Sequence, residues 1–363
     1  MFVNVNLNLE ERYDDISFPK MIKVKQKFND EKIGFIKEAV LKELEKVDKS
    51  TLKGKKIGIT AGSRGIKGWL DIIYTLKDFL VECGAVPIII PSMGSHGGAN
   101  AKGQKDIVKS YGLNEDDFEI ISTMDTRVIG NLKDGTELHF STDALNLDGI
   151  ILMNKIKPHA DYKGDFESGL LKMACIGLGK HKGALTLHDK GFHNFKAIIP
   201  EAGNIILENS NIIFGIAIVE NAYDDPMLIE VIEKKDIFQR EKELLKIAKA
   251  NMPRIKLKEV DILVIDEIGK NISGEGMDPN VTGRPGSYLY EGFDHAPPVN
   301  KIIIRDITDV SHGNAAGIGM ADLTTKRVVD KIDFIAMYTN SITAAILGPS
   351  RLPVVLNNEK DCM

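Results

Sequence analysis

Short apolar runs alternate with glycine-rich turns and amphipathic segments through roughly the first two thirds of the chain. The runs Lys56–Ala61 and Val86–Pro91 have the length and composition of buried strands. Between them, apolar positions from Leu70 to Leu80 recur at helical spacing. This alternation is typical of βαβ units and predicts a mostly parallel sheet with helices on both faces. Further predicted strands are 149–153, 212–218, 260–265 and 301–304, and the predicted helices are 69–83, 101–111 and 234–250.

The length of the chain, 363 residues, is more than a single hydrophobic core usually spans. A lysine-rich amphipathic segment leads into Pro253, and a new strand pattern opens at Val260. We therefore predict an α/β fold of two α/β domains with mostly parallel sheets and an active site in the cleft between them. Residues 1–253 are expected to form a cofactor-binding catalytic domain, and residues 254–363 an α/β domain that closes over the site.

Acidic and basic residues are interspersed along the chain, and the net charge is −5. A nucleic acid or an anionic membrane would need a basic face, so neither is expected as a partner. The three cysteines, Cys83, Cys175 and Cys362, are odd in number and show no CxxC spacing, which indicates a reducing compartment. No signal-peptide pattern is visible, and no apolar run reaches the roughly 18–20 residues of a membrane span. We expect a soluble, cytoplasmic protein.

The loops at the carboxyl ends of strands carry ligands in open α/β sheets. The turn after the first strand holds Ser63 and Arg64, which offer backbone N–H groups and a guanidinium to an anion. His96 lies among glycines after the second strand, and His159 follows Pro158 after a later one. Histidine suits proton transfer near neutral pH, and two histidines on neighbouring loops could face one carbon from opposite sides. A tight turn with a solvated arginine and ordinary surface histidines are the structural alternatives.

Lys172 lies in a run of small and apolar residues, where a surface lysine would be out of character. Burial at such a position favours the uncharged amine, which is a competent nucleophile. His181, His188 and His193 follow within a short stretch. Their spacing does not match a metal site built by the three alone, so one histidine that completes a metal held mostly by another group is the better interpretation. Ordinary loop histidines are the alternative.

Taken together, these segments resemble the nickel-dependent lactate racemase family, whose members use a nickel-pincer nucleotide cofactor. Five short motifs occur in the order that the family shows, and a family-like stretch follows at Gly276 to Asn280. The five motifs are Ser63-Arg64, Gly94-Ser95-His96, Pro158-His159, the segment from Ser168 to Lys172, and His188. The resemblance covers most of the chain, and its specificity comes from the order of the motifs.

The resemblance implies a role for each matching residue. Lys172 would carry the cofactor through a thioamide bond, and His188 would be the one protein ligand of nickel. His96 and His159 would be the paired acid–base groups, and Arg64 would bind the phosphate of the cofactor. The implied reaction inverts C2 of a 2-hydroxy acid by reversible hydride transfer to the covalently held nickel-pincer nucleotide. The other residues expected to bind the cofactor are Ser63, Ser168 and Gly169.

Some segments depart from the family pattern. Ala61 and Gly62 replace charged residues before the first turn, and the segment between Pro158 and Lys172 is longer by three residues. The added polar residues are Asp161, Lys163, Asp165 and Glu167. The substrate lysine of the family is missing from its place, and Lys270 or Arg284, in the glycine-rich loop of the second domain, is the expected substitute. These departures favour a larger hydroxylated substrate, such as a sugar acid, over lactate.

Two other functions stay open at this point. A lysine enzyme without a metal would form a Schiff base between Lys172 and a 2-oxo acid. A noncatalytic protein would use Arg64 and the glycine-rich loops to hold an anion. The partners expected of the racemase are a small 2-hydroxy acid and the enzymes that build the cofactor, and a homo-oligomer is compatible with the sequence.

Overall fold

A six-stranded sheet forms the centre of the larger part of the structure, a computed structural model that describes residues 19–63, 65–114 and 116–363. In chain order the strands of this part are β1 (Lys56–Ala61), β2 (Val86–Pro91), β3 (Glu119–Ile120), β4 (Thr126–Asn131), β5 (Glu137–Ser141), β6 (Gly149–Lys155), β7 (Ile212–Glu220) and β8 (Pro226–Glu233). The sheet has the order β3-β2-β1-β6-β7-β8, while β4 and β5 form a separate antiparallel hairpin. All neighbours in the sheet are parallel except β7 and β8.

A second, smaller sheet follows. Its strands are β9 (Val260–Ile265), β10 (Val299–Ile304), β11 (Leu323–Thr325) and β12 (Val354–Leu356). They are parallel and have the order β12-β11-β10-β9. The prediction of an α/β fold with two domains and mostly parallel sheets is therefore confirmed. The exact boundary at residue 253 stays a prediction.

Helices connect most of the strands. They are α1 (Ile36–Leu44), α2 (Trp69–Glu82), α3 (Ala101–Ser110), α4 (Thr142–Leu145), α5 (Leu170–Lys172), α6 (Lys180–His188), α7 (Phe195–Asn209), α8 (Ile237–Asn251), α9 (Pro279–Thr282), α10 (Lys326–Val329), α11 (Phe334–Thr343) and α12 (Glu359–Cys362). The helices predicted over 69–83, 101–111 and 234–250 correspond to α2, α3 and α8. None of the described helices combines the length and the apolar character that a membrane crossing requires.

The six-stranded sheet is buried on both faces, which explains why its strands are continuous apolar runs and do not alternate with polar residues. Along β2, Ile88 and Ile90 pack into the core on one face, and Ile89 packs into the core on the other. The same division separates Leu152 from Ile151 on β6. Polar residues are thereby confined to the ends of these strands, where the loops begin.

The two domains meet at the loop that follows β6. Asn280, in α9, donates its side-chain N–H to the backbone oxygen of His159 at 3.2 Å. The Ser287 hydroxyl donates to the backbone oxygen of Asp161 at 2.6 Å. The Lys163 ammonium lies 4.2 Å from the centre of the Phe293 ring. Residues of the second domain therefore help to position a loop of the first.

Candidate active site

Three of the predicted site loops meet because β2, β1 and β6 are neighbours in the sheet. These strands are parallel, so the loops that follow them leave the sheet at the same edge. Ser63, His96 and His159 lie on these three loops. Ser63 also lines a cleft of about 900 Å³ between the domains, together with Pro158 and Lys270. The expected phosphate ligand, Arg64, lies outside the described residues.

A hydrogen bond to the backbone determines where the His96 ring carries its proton. His96 Nδ1 is 2.9 Å from Met93 O. A carbonyl oxygen can only accept, so Nδ1 donates and Nε2 carries the lone pair of the neutral ring. The Gln104 amide fixes the same loop by donating to Gly94 O at 2.8 Å and to His96 O at 3.3 Å. His96 is exposed at the edge of the sheet and presents a proton acceptor there.

The His159 ring has the opposite arrangement. The backbone N–H of Asp161 donates to His159 Nδ1 at 3.0 Å. Nδ1 therefore carries the lone pair, and the proton of the neutral ring is on Nε2. Burial holds the pKa of His159 well below its usual range. At pH 7 this imidazole is neutral and presents a proton donor.

The buried carboxylate of Glu167 holds the His159 loop in place. It accepts the backbone N–H of His159 at 2.6 Å and that of Gly164 at 3.2 Å. Lys163, at 3.3 Å, and Lys249, at 2.6 Å, balance its charge. The Glu167 side chain is fully buried. Glu167, one of the added polar residues between Pro158 and Lys172, thus holds this loop in its conformation.

Lys172 ends the short helix α5, and its Nζ contacts His159 Nε2. His159 Nδ1 accepts from the backbone of Asp161, so Nε2 carries the ring proton. Nε2 therefore donates to Lys172, and the Lys172 amine must be the acceptor. An amine that accepts a hydrogen bond has a lone pair and can attack an electrophilic carbon. The structure thus brings together the predicted nucleophile and one of the predicted acid–base groups.

The start of α5 is held by a second buried carboxylate, Glu241 of α8. Its Oε2 accepts the backbone N–H of Leu171 at 2.9 Å, in the manner of a helix N-cap supplied by another element. Burial raises the pKa of Glu241 to about 7. A Cβ atom at Gly169 would lie 2.2 Å from Glu241 Oε1. Glycine is therefore required at this position of the Ser168 to Lys172 motif for packing, whatever role it has toward a cofactor.

His188, at the end of α6, belongs to the same cluster. Its ring stacks on Phe195 with the centroids 5.4 Å apart. Burial lowers the pKa of His188 to about 4. The rings of His159 and His188 both pack against Phe192, with centroid distances of 5.5 and 5.4 Å, and Lys172 contacts His159. The convergence of all four residues, His96 included, stays a prediction.

The other predicted site residues, Ser168, Lys270 and Arg284, lie in three different places. The Ser168 backbone pairs with Lys157 across the loop, at 2.9 and 3.1 Å, so Ser168 stands at the base of the cluster. Lys270 lines the cleft, and its ammonium donates to Gly274 O at 2.6 Å. Arg284 is not brought to the cluster. Its guanidinium binds Asp322 at 2.7 Å and three backbone oxygens, two of which lie at the start of β10. This is the end of the strand away from the ligand loops.

Among the residues that the structure describes, the three histidines of the α6 region do not form a metal site by themselves. His193 is exposed, and its Nε2 accepts from the Asn194 amide at 3.0 Å. Within the described part of the chain, no group of three or more His, Cys, Asp and Glu side chains is arranged to hold a metal ion. Of the three, His188 packs against Phe192, which also contacts the His159 ring.

Two supporting residues were not predicted from the sequence, Glu241 and Lys249. Glu241 lies in the apolar stripe of α8 together with Ile237, Leu244 and Leu245, where an acid is unexpected. This break in the helical pattern was the signal that could have identified it. Lys249 is one of several lysines on a charged helix, and no local pattern distinguishes it from solvated neighbours.

We predict that Arg284 stabilises the second domain. Arg284→Met should lower the free energy of unfolding by about 2–4 kcal/mol, because three carbonyl oxygens lose a donor and the Asp322 carboxylate keeps the Ile302 N–H but loses its cation. Arg305→Met removes an exposed arginine with two carboxylate partners and should cost much less. Urea unfolding of the two variants measures the difference, and equal stabilities would contradict the structural role.

We also predict an effect of pH on stability through His188. Its pKa is about 4 in the folded protein and about 6.5 in the unfolded chain. The contribution of neutral His188 is therefore complete above pH ~6.5 and is lost as the pH falls toward 4. In nickel-free protein, His188→Gln should gain about 2 kcal/mol relative to the wild type between pH 7.5 and 5. Urea unfolding at both pH values measures this, with the exposed His193→Gln as control; no relative gain would contradict the burial of His188.

The comparisons with known proteins agree on the fold. No protein-family model and no curated protein sequence matches the chain. Among solved structures, the lactate racemase apoprotein of Thermoanaerobacterium thermosaccharolyticum is similar, with a TM-score of 0.55 at 14% identity over 89% of this chain and 82% of that one. A protein of Thermotoga maritima has a TM-score of 0.56 at 16% identity, over 86% and 81% of the two chains. At these identities the likeness shows the fold alone, and the chain has a lactate racemase-like fold.

Proposed function

We propose that this protein is a racemase or epimerase that inverts C2 of a 2-hydroxy acid with a covalently held nickel-pincer nucleotide. The observation that carries the proposal is the opposite position of the ring proton in His96 and His159, which lie on two loops at the same edge of the sheet, with His159 in contact with Lys172. One ring presents a lone pair on Nε2 and the other presents a proton on Nε2. Hydride removal from a carbon that bears a hydroxyl needs a base for the hydroxyl proton, and a neighbouring hydrogen-bond donor can hold the same oxygen in place.

The residues present fit the proposed cofactor. The Lys172 amine accepts from His159 and can form a bond to an acyl or thioacyl carbon. His188 is neutral above pH ~4, as an imidazole must be to bind a metal. A pincer group supplies most ligands of its own metal, so one protein imidazole completes the coordination. The cleft of about 900 Å³, lined by Ser63 and Lys270, has room for a nucleotide-sized molecule.

The chain's own residues hold and move the proton of the substrate. When bound, the nickel-pincer nucleotide supplies a hydride acceptor, which side chains cannot provide. His96 Nε2 would accept the proton of the 2-hydroxyl group and return it to the same oxygen at the end of the reaction. The Nε2–H group of His159 would donate a hydrogen bond to that oxygen and keep its own proton. Glu167 and the Asp161 backbone keep the His159 ring in the required orientation.

A Schiff-base enzyme without a metal is the second candidate, and the same amine favours it. An accepting Lys172 could attack the carbonyl carbon of a 2-oxo acid, and its two amine protons would leave with the carbonyl oxygen as water, relayed by the His159 ring. Borohydride in the presence of a 2-oxo acid would then fix the acid on Lys172. The neutral His188 beside this lysine has no part in that reaction, whereas the nickel enzyme uses it.

Expression together with cofactor-building enzymes tests the proposal. We predict one nickel per chain, a mass increase on the peptide that contains Lys172, and loss of both the mass increase and the racemase activity in Lys172→Ala. Lys190→Ala is the control, because Lys190 is a lysine on the surface that pairs with Asp134. An active enzyme with an unmodified Lys172 would contradict the proposal.

A further inference from the structure

A cavity of about 270 Å³ lies beside His188, where the two domains meet. Its first-domain wall includes His188 and Phe192, and its second-domain wall includes Tyr288, Ile346 and Arg351. Among the residues that the structure describes, it shares no lining residue with the cleft of about 900 Å³. Pockets for drug-sized molecules begin at about 300 Å³. This cavity therefore suits a smaller ligand.

The cavity adjoins residues that the proposed function assigns to the reaction. The Phe192 ring lines it and lies 5.5 Å from the His159 ring and 5.4 Å from the His188 ring, between centroids. His188, which is half-buried, lines the cavity itself. A small molecule held here therefore lies against the proposed metal ligand.

Arg351 gives the cavity its charge. Among the described residues that line it, Arg351 is the one permanent cation, and none is an aspartate or a glutamate. The larger cleft differs, because Lys270 is accompanied there by the acids Glu267 and Asp278. A cavity whose only charge is positive favours an anionic ligand.

The Arg351 guanidinium is available to such a ligand. The residue is exposed, and the guanidinium carbon lies 5.5 Å from the centre of the Tyr288 ring. Arg284, Arg305 and Arg327 of the same domain each pair with a carboxylate. Within the described part of the chain, no carboxylate pairs with Arg351. A guanidinium offers two parallel N–H donors, which match the two oxygens of a carboxylate.

The wall that carries Arg351 is built in advance. Tyr288 and Ala345 line the cavity with φ of 61° and 54°, a strained conformation for residues other than glycine. Such residues cluster at ligand sites and persist only where their neighbours hold them. A Cβ atom at Gly348 would lie 2.8 Å from Tyr288 Oη, so glycine leaves room for the ring. Ile346 packs into the core of the first domain and joins the two walls.

We propose that this cavity binds the carboxylate of a small 2-hydroxy monocarboxylic acid, with the Arg351 guanidinium as its counter-ion. That this acid is the substrate rests on the proposed function. The carboxylate carbon is bonded to C2, so a carboxylate held here keeps the reacting carbon beside His188. A second carboxylate would find no further lysine or arginine in the described wall of the cavity. Arg351, in place of Lys270 or Arg284, is then the residue of the second domain that selects an acid.

Titration of the nickel-free protein with lactate, and with lactamide as its uncharged counterpart, tests the site. The reporter is the nitrogen-15 signal of the His188 ring, identified by its loss in His188→Gln. Lactate should shift this signal in the wild type, and Arg351→Gln should raise the Kd for lactate by about 30-fold. Lactamide should bind the wild type at least about 10-fold more weakly than lactate, because it lacks the charge.

Two further variants separate the guanidinium from general effects of substitution. Arg351→Lys keeps the charge without the two parallel donors and should raise the Kd for lactate by less than about 10-fold. Arg327→Gln is the matched control, since Arg327 is also an exposed arginine of the second domain and pairs with Glu359. Its Kd should equal that of the wild type. In the nickel-loaded enzyme, Arg351→Gln should raise KM for lactate by about 30-fold and change kcat by less than about 3-fold.

Equal Kd values for lactate in the wild type and Arg351→Gln would overturn the inference, as would equal Kd values of the wild type for lactate and lactamide. So would a His188 signal that does not shift up to ~50 mM lactate, or a loss of kcat in Arg351→Gln at unchanged KM. The proposed function is tested separately, by the nickel content and the mass of the Lys172 peptide. Should those fail while lactate binds through Arg351, the anion site stands and the racemase does not.

Discussion

One imidazole, that of His159, is held neutral and in a single orientation at the contact between two domains, and the rest of the site depends on it. The backbone N–H of Asp161 donates a hydrogen bond to its Nδ1, and the Lys172 amine contacts its Nε2. The buried Glu167 carboxylate fixes the loop by accepting the backbone N–H of His159, and Lys163 and Lys249 balance its charge. Removing one partner of such a buried group leaves an unpaired charge, so the arrangement is rigid.

The domain interface is part of this arrangement. Asn280 and Ser287, from the second domain, bind backbone oxygens of the His159 loop. The cleft between the domains is lined by Pro158 from the same loop and by Lys270 from the second domain. A separation of the domains would break these bonds and expose His159 to water, which would raise its pKa toward the ordinary value. Closure and the protonation state of the ring are therefore coupled.

Much of this could be predicted from the sequence, because strand patterns identify which loops share an edge of the sheet. The positions of His96, His159, Lys172 and His188 followed from short motifs at the ends of apolar runs and from a family resemblance. The supporting contacts could not be predicted in the same way. Glu167 pairs with Lys249, far along the chain, and Arg284 is committed to Asp322 and to backbone oxygens. Such pairings depend on which residues meet in the folded structure, and a pattern of residue types along the chain does not give that information.

The central claim is that His159 is neutral with its proton on Nε2, facing Lys172. Nitrogen-15 NMR of protein with labelled histidine tests this most directly, because the two ring nitrogens have different shifts when one is protonated and the other is not. The signals of His159 are identified by their loss in His159→Gln. They should show a protonated Nε2 and an unprotonated Nδ1, unchanged from pH 8 to below pH 6. A ring that titrates near pH ~6.5, or that carries its proton on Nδ1, would contradict the account.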